Sequence, residues 1–71
     1  MEQERIGRFI AERRRTLGLT QRALAEAMGV SNRTISKWEC GEGLPELANI
    51  LPLCALLGVT ADELLRGGSA E

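Results

Sequence analysis

The stretch Gly29–Glu39, GVSNRTISKWE, is odd for a helix whose job is only to fill a core. Its apolar residues, Val30, Ile35 and Trp38, make one narrow stripe, while Asn32, Arg33, Thr34, Ser36 and Lys37 crowd the rest of the surface with hydrogen-bonding groups. Ser31 is a suitable N-cap for a helix running to about Cys40, and Gly41 lies just beyond it. Upstream, Thr20 can cap another short helix whose apolar face is Ala23, Leu24, Ala25 and Met28 and whose end is Gly29. The two segments read as short helices joined by one tight turn.

The small residues fall where such a pair would cross. Counting Gln21 as the first position, Ala25 is the fifth, Gly29 the ninth, Ile35 the fifteenth and Trp38 the eighteenth. A small side chain at Ala25 lets the helices approach. Gly29 can take the positive φ of a tight turn, and Ile35 and Trp38 bury the back of the later helix. This is a helix-turn-helix spacing at about residues 20–40, and it turns the polar front of the later helix outward.

On the N-terminal side, a first helix from about Gln3 to Thr16 puts Ile6, Phe9, Ile10 and Leu17 on its inward stripe, with Gly18 as its stop. Arg14 lies on that same stripe, four residues from Ile10 and three from Leu17, where an unpaired charge is costly; it needs an acidic partner. Its neighbours Arg13 and Arg15 read as a solvated helix end. On the C-terminal side, GEGLPEL reads as a loop. If a fourth helix began at Glu46, Pro52 would sit in its second turn, where the missing N–H and the ring clash cost about 3 kcal/mol. A start after Asn49 as cap avoids most of that, placing Ile50, Leu53, Cys54 and Leu57 inward and ending at Gly58. Thr60-Ala61-Asp62-Glu63 has capping-box spacing, so a short fifth helix carries Leu64 and Leu65 as far as Gly67. The expectation is an all-α domain of five helices over residues 1–67, followed by a mobile tail, 68–71.

With 71 residues, one Trp and one Phe, the chain can build one small core. No apolar run approaches the roughly 18 residues of a membrane-spanning helix, and MEQERIGRFI lacks the apolar block of a signal peptide, which points to the cytoplasm and away from membranes. Cys40 and Cys54 have neither CxxC spacing nor any His beside them, so they read as free thiols, Cys54 in the core. There is no His, no acid pair in a cleft arrangement, no phosphate-cradling loop and no metal cluster, so an enzyme, a cofactor, a metal or a small-molecule ligand is not indicated. The net charge of -1 hides a division along the chain. Between Arg5 and Lys37 eight basic residues face only Glu12 and Glu26, whereas from Cys40 onward Arg66 alone faces five acids. Such a division permits a basic face on an acidic protein, with a solvated helix surface as the equal alternative.

The string IGRFIAERRRTLGLTQRALAEAMGVSNRTISKWECGEGLPEL, with LLGVTADELL after it, resembles the Cro/C1-type (XRE-family) helix-turn-helix domain of bacterial and phage transcription regulators. The likeness spans about Ile6 to Gly67 and rests on LTQ, LA, MGVS, ISKWE, LP, LGV and DELL occurring in the family's order and spacing. It implies a compact, lambda-repressor-like, five-helix domain whose third helix enters the major groove of double-stranded DNA, usually as a homodimer on a two-fold-related operator. It also implies that Gln21 touches the phosphate backbone, that Asn32, Arg33, Thr34 and Lys37 face base edges or nearby phosphates, and that Arg14 pairs with Glu39. Where the family often carries a basic residue after the third helix, this chain has Cys40, Glu42 and Glu46, which weakens auxiliary phosphate contacts from that loop.

The residue chemistry agrees from its own side. Helix N-termini at Gln21 and Asn32 attract phosphate through unpaired N–H groups. Arg can bind guanine O6 and N7 bidentately, and Asn can bind adenine N6 and N7. The function expected is that of a sequence-specific DNA-binding regulator, a repressor. The rival reading is a protein-interaction module, such as an antitoxin-like partner with weak DNA binding, which the acidic second half keeps open. Cys40, at the end of the third helix, would sense oxidants only in a basic microenvironment that lowered its pKa.

Overall fold

A computed structural model of the chain describes residues 2–68. They form α1 (Glu2–Thr16), α2 (Gln21–Met28), α3 (Asn32–Glu39), α4 (Leu47–Leu57) and α5 (Ala61–Arg66), and no strand occurs among the described residues. α1 packs against α3, α4 and α5, while α2 fills the space between α3 and α4. Ile6 and Ile10 of α1 meet Leu24 and Ala25 of α2, Ile35 and Trp38 of α3, Leu53, Cys54 and Leu57 of α4, and Leu64 of α5 in one core. Phe9, Met28, Val30, Ile50 and Val59 close its edges.

Short helices are marginal alone, so their ends matter. Thr20, Ser31 and Thr60 each accept the backbone N–H three residues on, from Ala23, Thr34 and Glu63. At Thr60 the Glu63 side chain returns the bond, completing the capping box. These three starts match the sequence reading.

The fourth helix does not. It begins at Leu47 rather than after Asn49, with Glu46 as an N-cap that makes no side-chain bond, and Pro52 lies inside it. The missing Pro52 N–H would have bonded the Ala48 carbonyl one turn earlier. Both residues are exposed, so water can satisfy that carbonyl, while Leu53, Cys54 and Leu57 on the opposite side are buried. Burial of that face outweighs a defect placed on the wet side.

Two further expectations change. Leu17 lies past the end of α1 and is 44% exposed, not inward. Gly68, read as the start of a mobile tail, is buried: its N–H bonds the Glu63 carbonyl and it lies against the Phe9 ring. The rest of that tail, 69–71, falls outside the described residues.

Candidate nucleic-acid interface

The turn between α2 and α3 is built on Gly29, whose φ of 73° is left-handed and whose N–H reaches back to the Ala25 and Glu26 carbonyls. Val30 N–H then bonds the Ala25 carbonyl at 3.0 Å, and Ser31 opens α3. Only two residues therefore separate the helix stop from the next cap. That fixes the rotation of α3: Ile35 and Trp38 turn into the core, and Asn32, Arg33 and Lys37 are exposed.

Thr34 stands apart from those three. It is half-buried, and its hydroxyl lies 2.9 Å from that of Ser31, which also accepts the Thr34 N–H. Its position is in the first turn of α3, but its hydroxyl already has a local partner. The outer face of α3 is consequently an amide and two cations, with Arg33 and Lys37 one turn apart. The helix contains one acid, Glu39, and that acid is turned inward with a 5% exposed side chain.

Glu39 is the centre of a three-helix junction. Its Oε2 accepts Arg14 Nε at 2.6 Å and its Oε1 accepts Arg14 Nη2 at 3.0 Å, a bidentate pair joining α1 to α3. Arg14 Nη1 also donates to the Leu19 carbonyl at 2.8 Å. The hydrogen bond to Glu39 raises the Arg14 pKa, with desolvation pulling the other way and the carboxylate's charge reinforcing the rise, so the guanidinium is permanently charged. The same Oε1 accepts Gln21 Nε2 at 3.0 Å, tying in the first residue of α2. The place of Arg14 on the inward stripe calls for an acid opposite it, but no local pattern marks the Gln21 link.

Arg13 is not a solvated helix end. This side chain is half-buried, and its Nε and Nη2 both donate to the Leu57 carbonyl, at 3.1 and 2.9 Å, capping the C-terminus of α4. Arg15 alone of the three-residue run is exposed. Arg22 pairs with Glu26 at 3.6 Å across exposed surface, a contact worth little. Cys40 is an exposed free thiol beside α3, and Cys54 is buried, with desolvation and then the nearby Glu63 pushing its pKa up. Among the described residues no group of three or more His, Cys, Asp or Glu could hold a metal ion. No described helix is long and apolar enough to cross a membrane.

The helix-turn-helix family model matches residues 10–64, which takes in α2, the Gly29 turn, α3 and the helices packed around them. The chain belongs to the Cro/C1-type helix-turn-helix family. Repressor protein C2 of Salmonella phage P22 is 40% identical over 71 residues, covering 100% of this chain and 33% of that protein. The HTH-type transcriptional activator BcrR of Enterococcus faecalis is 47% identical over 49 residues, 69% of this chain and 24% of BcrR. The crystal structure of the P22 c2 repressor protein in complex with a synthetic operator superposes with a TM-score of 0.84 at 42% identity, over 87% of this chain and 94% of that one. The chain thus spans about a quarter to a third of the length of these two curated relatives. One relative is named a repressor and the other an activator.

Proposed function

We propose that this family member is the DNA-reading domain of a transcription regulator, a repressor that acts in the cytoplasm by occupying its operator and has no catalytic activity. The folded unit is read as α1 to α5 together with Gly68. The observation that carries this is the outer face of α3: Asn32, Arg33 and Lys37 stand exposed on a helix locked from behind by Ile35, Trp38 and the Glu39 junction. Side chains that offer bidentate donors and an amide, on a rigid support, suit base edges in the major groove. Selection of bound sequences from a random duplex library is the test. The expected product is a two-fold-symmetric motif with half-sites about 34 Å apart or a multiple of it. No enrichment, together with no salt-dependent binding to random duplex, would leave the protein-interaction reading standing.

Within such a motif the two cations of α3 should separate. Arg33, in the first turn of α3, is assigned to a base: Arg33→Ala is expected to cost about 1–3 kcal/mol at the selected duplex and to relax preference at one position per half-site. Lys37→Ala, by contrast, should weaken selected and random duplexes alike and lower the salt slope by about one per half-site. Titrations of both variants against the selected duplex and its single-base changes decide this. Equal weakening of every duplex by Arg33→Ala would make Arg33 an electrostatic contact.

A second copy would seat on the apolar side of α4 and α5. Leu47, Leu51 and Leu65 are 89%, 71% and 54% exposed and line one groove with Pro45, Ile50 and Ala61. α4 has no charged residue to oppose self-contact, and pairing through α4 and α5 leaves α3 free. Three exposed leucines make a patch smaller than the roughly 800 Å² a standard interface takes from each partner, so the pair should be weak in solution and assemble on DNA. Leu51→Glu should leave single half-site affinity unchanged and lower affinity for the two-site duplex by more than about tenfold, since linkage between the sites is lost. Unchanged two-site binding would place the dimer contact elsewhere.

A further inference from the structure

Glu39 touches none of the residues assigned to base edges, yet one of its oxygens holds Gln21, for which the family resemblance implies a phosphate contact. Oε1 accepts from Arg14 Nη2 and from Gln21 Nε2, each at 3.0 Å. A carboxylate can only accept, whereas a primary amide has a donating end and an accepting end. Glu39 therefore selects between the two orientations of the Gln21 amide and draws the nitrogen inward. The nitrogen has two N–H groups. One is committed to Glu39, and the other remains for an acceptor outside.

Gln21 is the first residue of α2, at the helix end where backbone N–H groups favour an anion. An amide free to flip would present its oxygen to a phosphate half of the time, and oxygen against phosphate repels. Arg14 completes the device. By pairing bidentately with the same carboxylate it cancels a negative charge that would otherwise lie directly behind the phosphate contact.

We propose that Glu39 is a positioning residue for DNA binding, one that holds the Gln21 amide nitrogen-inward so that its second N–H meets a backbone phosphate. This rests on Gln21 being a phosphate contact, so the experiment reads the two claims separately. The selected duplex is made with a single uncharged methylphosphonate linkage, moved one phosphate at a time along a half-site. In the parent one linkage should cost roughly tenfold in affinity, the worth of a hydrogen bond to a charged group. Gln21→Ala should abolish the cost at that linkage. Glu39→Gln, whose amide can donate to Gln21 as easily as accept from it, should reduce that cost to about fivefold and leave the other linkages as they are in the parent. Affinities are corrected for folded fraction by Trp38 fluorescence.

A Glu39→Gln profile that is scaled equally at all linkages, or identical to the parent's, means that Glu39 acts only in folding and overturns the proposal. If no linkage responds to Gln21→Ala, the phosphate reading of Gln21 fails and takes the proposal with it. The free parent provides an arm that does not depend on the variant folding: of the two glutamine side chains, Gln3 and Gln21, only Gln21 should show one amide proton shifted and slowed in exchange. Equivalent behaviour of the two side chains would show that Gln21 is not held, and this too overturns the proposal.

Discussion

Arg14→Met is expected to lower the stability of this domain by about 3–5 kcal/mol, because it strands the Glu39 carboxylate, with 5% of its side chain exposed, inside the α1–α3 contact. A 71-residue domain has about 4–10 kcal/mol in total, so the variant should lose roughly half of its stability. Glu39→Gln should fall by a similar amount, since it leaves the Arg14 guanidinium without a counter-charge and the residue as a whole is 8% exposed. The pair itself contributes less than either loss suggests. Two desolvated ions are often no better than two apolar side chains of the same volume, so Arg14→Met combined with Glu39→Leu should regain much of what each single change removes. Urea midpoints of the two single variants and the double variant measure this. Midpoints equal to the parent's in both single variants would show that the junction does not hold α1 to α3. A double variant that is fully additive would show no coupling between the two residues.

That junction was half legible in the sequence, and the division is physical. A charged residue at helical spacing from Ile6, Ile10 and the other inward positions calls for a partner, and an acid directly after the Trp38 anchor supplies one. The caps at Thr20, Ser31 and Thr60 were legible because a cap is a local event, fixed by a side chain and an N–H three residues away. The rotation of α3 was legible for the same reason: a three-residue connection leaves it little freedom. Gln21 to Glu39 and Arg13 to the Leu57 carbonyl were not, since 18 and 44 residues of chain separate the partners and polar side chains on a helix end look solvated until tertiary structure brings an acceptor. Pro52 misled because its cost is local and visible, whereas the burial that offsets it is distributed over Leu53, Cys54 and Leu57. Leu17 misled because the 3.6-residue period was continued past Thr16, where the helix had already ended.

Gly7 gave no signal at all, and it carries the second large effect. In an exposed helix interior Gly7→Ala would stabilise by about 1 kcal/mol through propensity alone. Here the sign should reverse. Gly7 is buried in the middle of α1, and a Cβ added to it would stand 2.2 Å from the Trp38 carbonyl oxygen and 2.8 Å from that of Glu39. Both obstacles are backbone at the end of α3, so no side-chain rotation can clear them; α1 and α3 have to move apart. Overpacking of this kind costs about 1–3 kcal/mol by itself. The displacement would also fall on the Arg14 and Glu39 pair, because Arg14 lies two turns along the same face of α1 and Glu39 is one of the residues pushed. Losing part of that geometry adds to the cost, and the total expected is about 3 kcal/mol or more. Gly43→Ala is the matched control: nothing lies within 4 Å of its added Cβ and its φ is not in the left-handed range, so it should be neutral or slightly stabilising. Thermal and urea unfolding of the two variants, followed by Trp38 fluorescence, decide the matter. A Gly7→Ala protein as stable as Gly43→Ala would mean that α1 and α3 can separate without loss, and that the close approach of the two helices is not what sets the position of Glu39 behind Gln21.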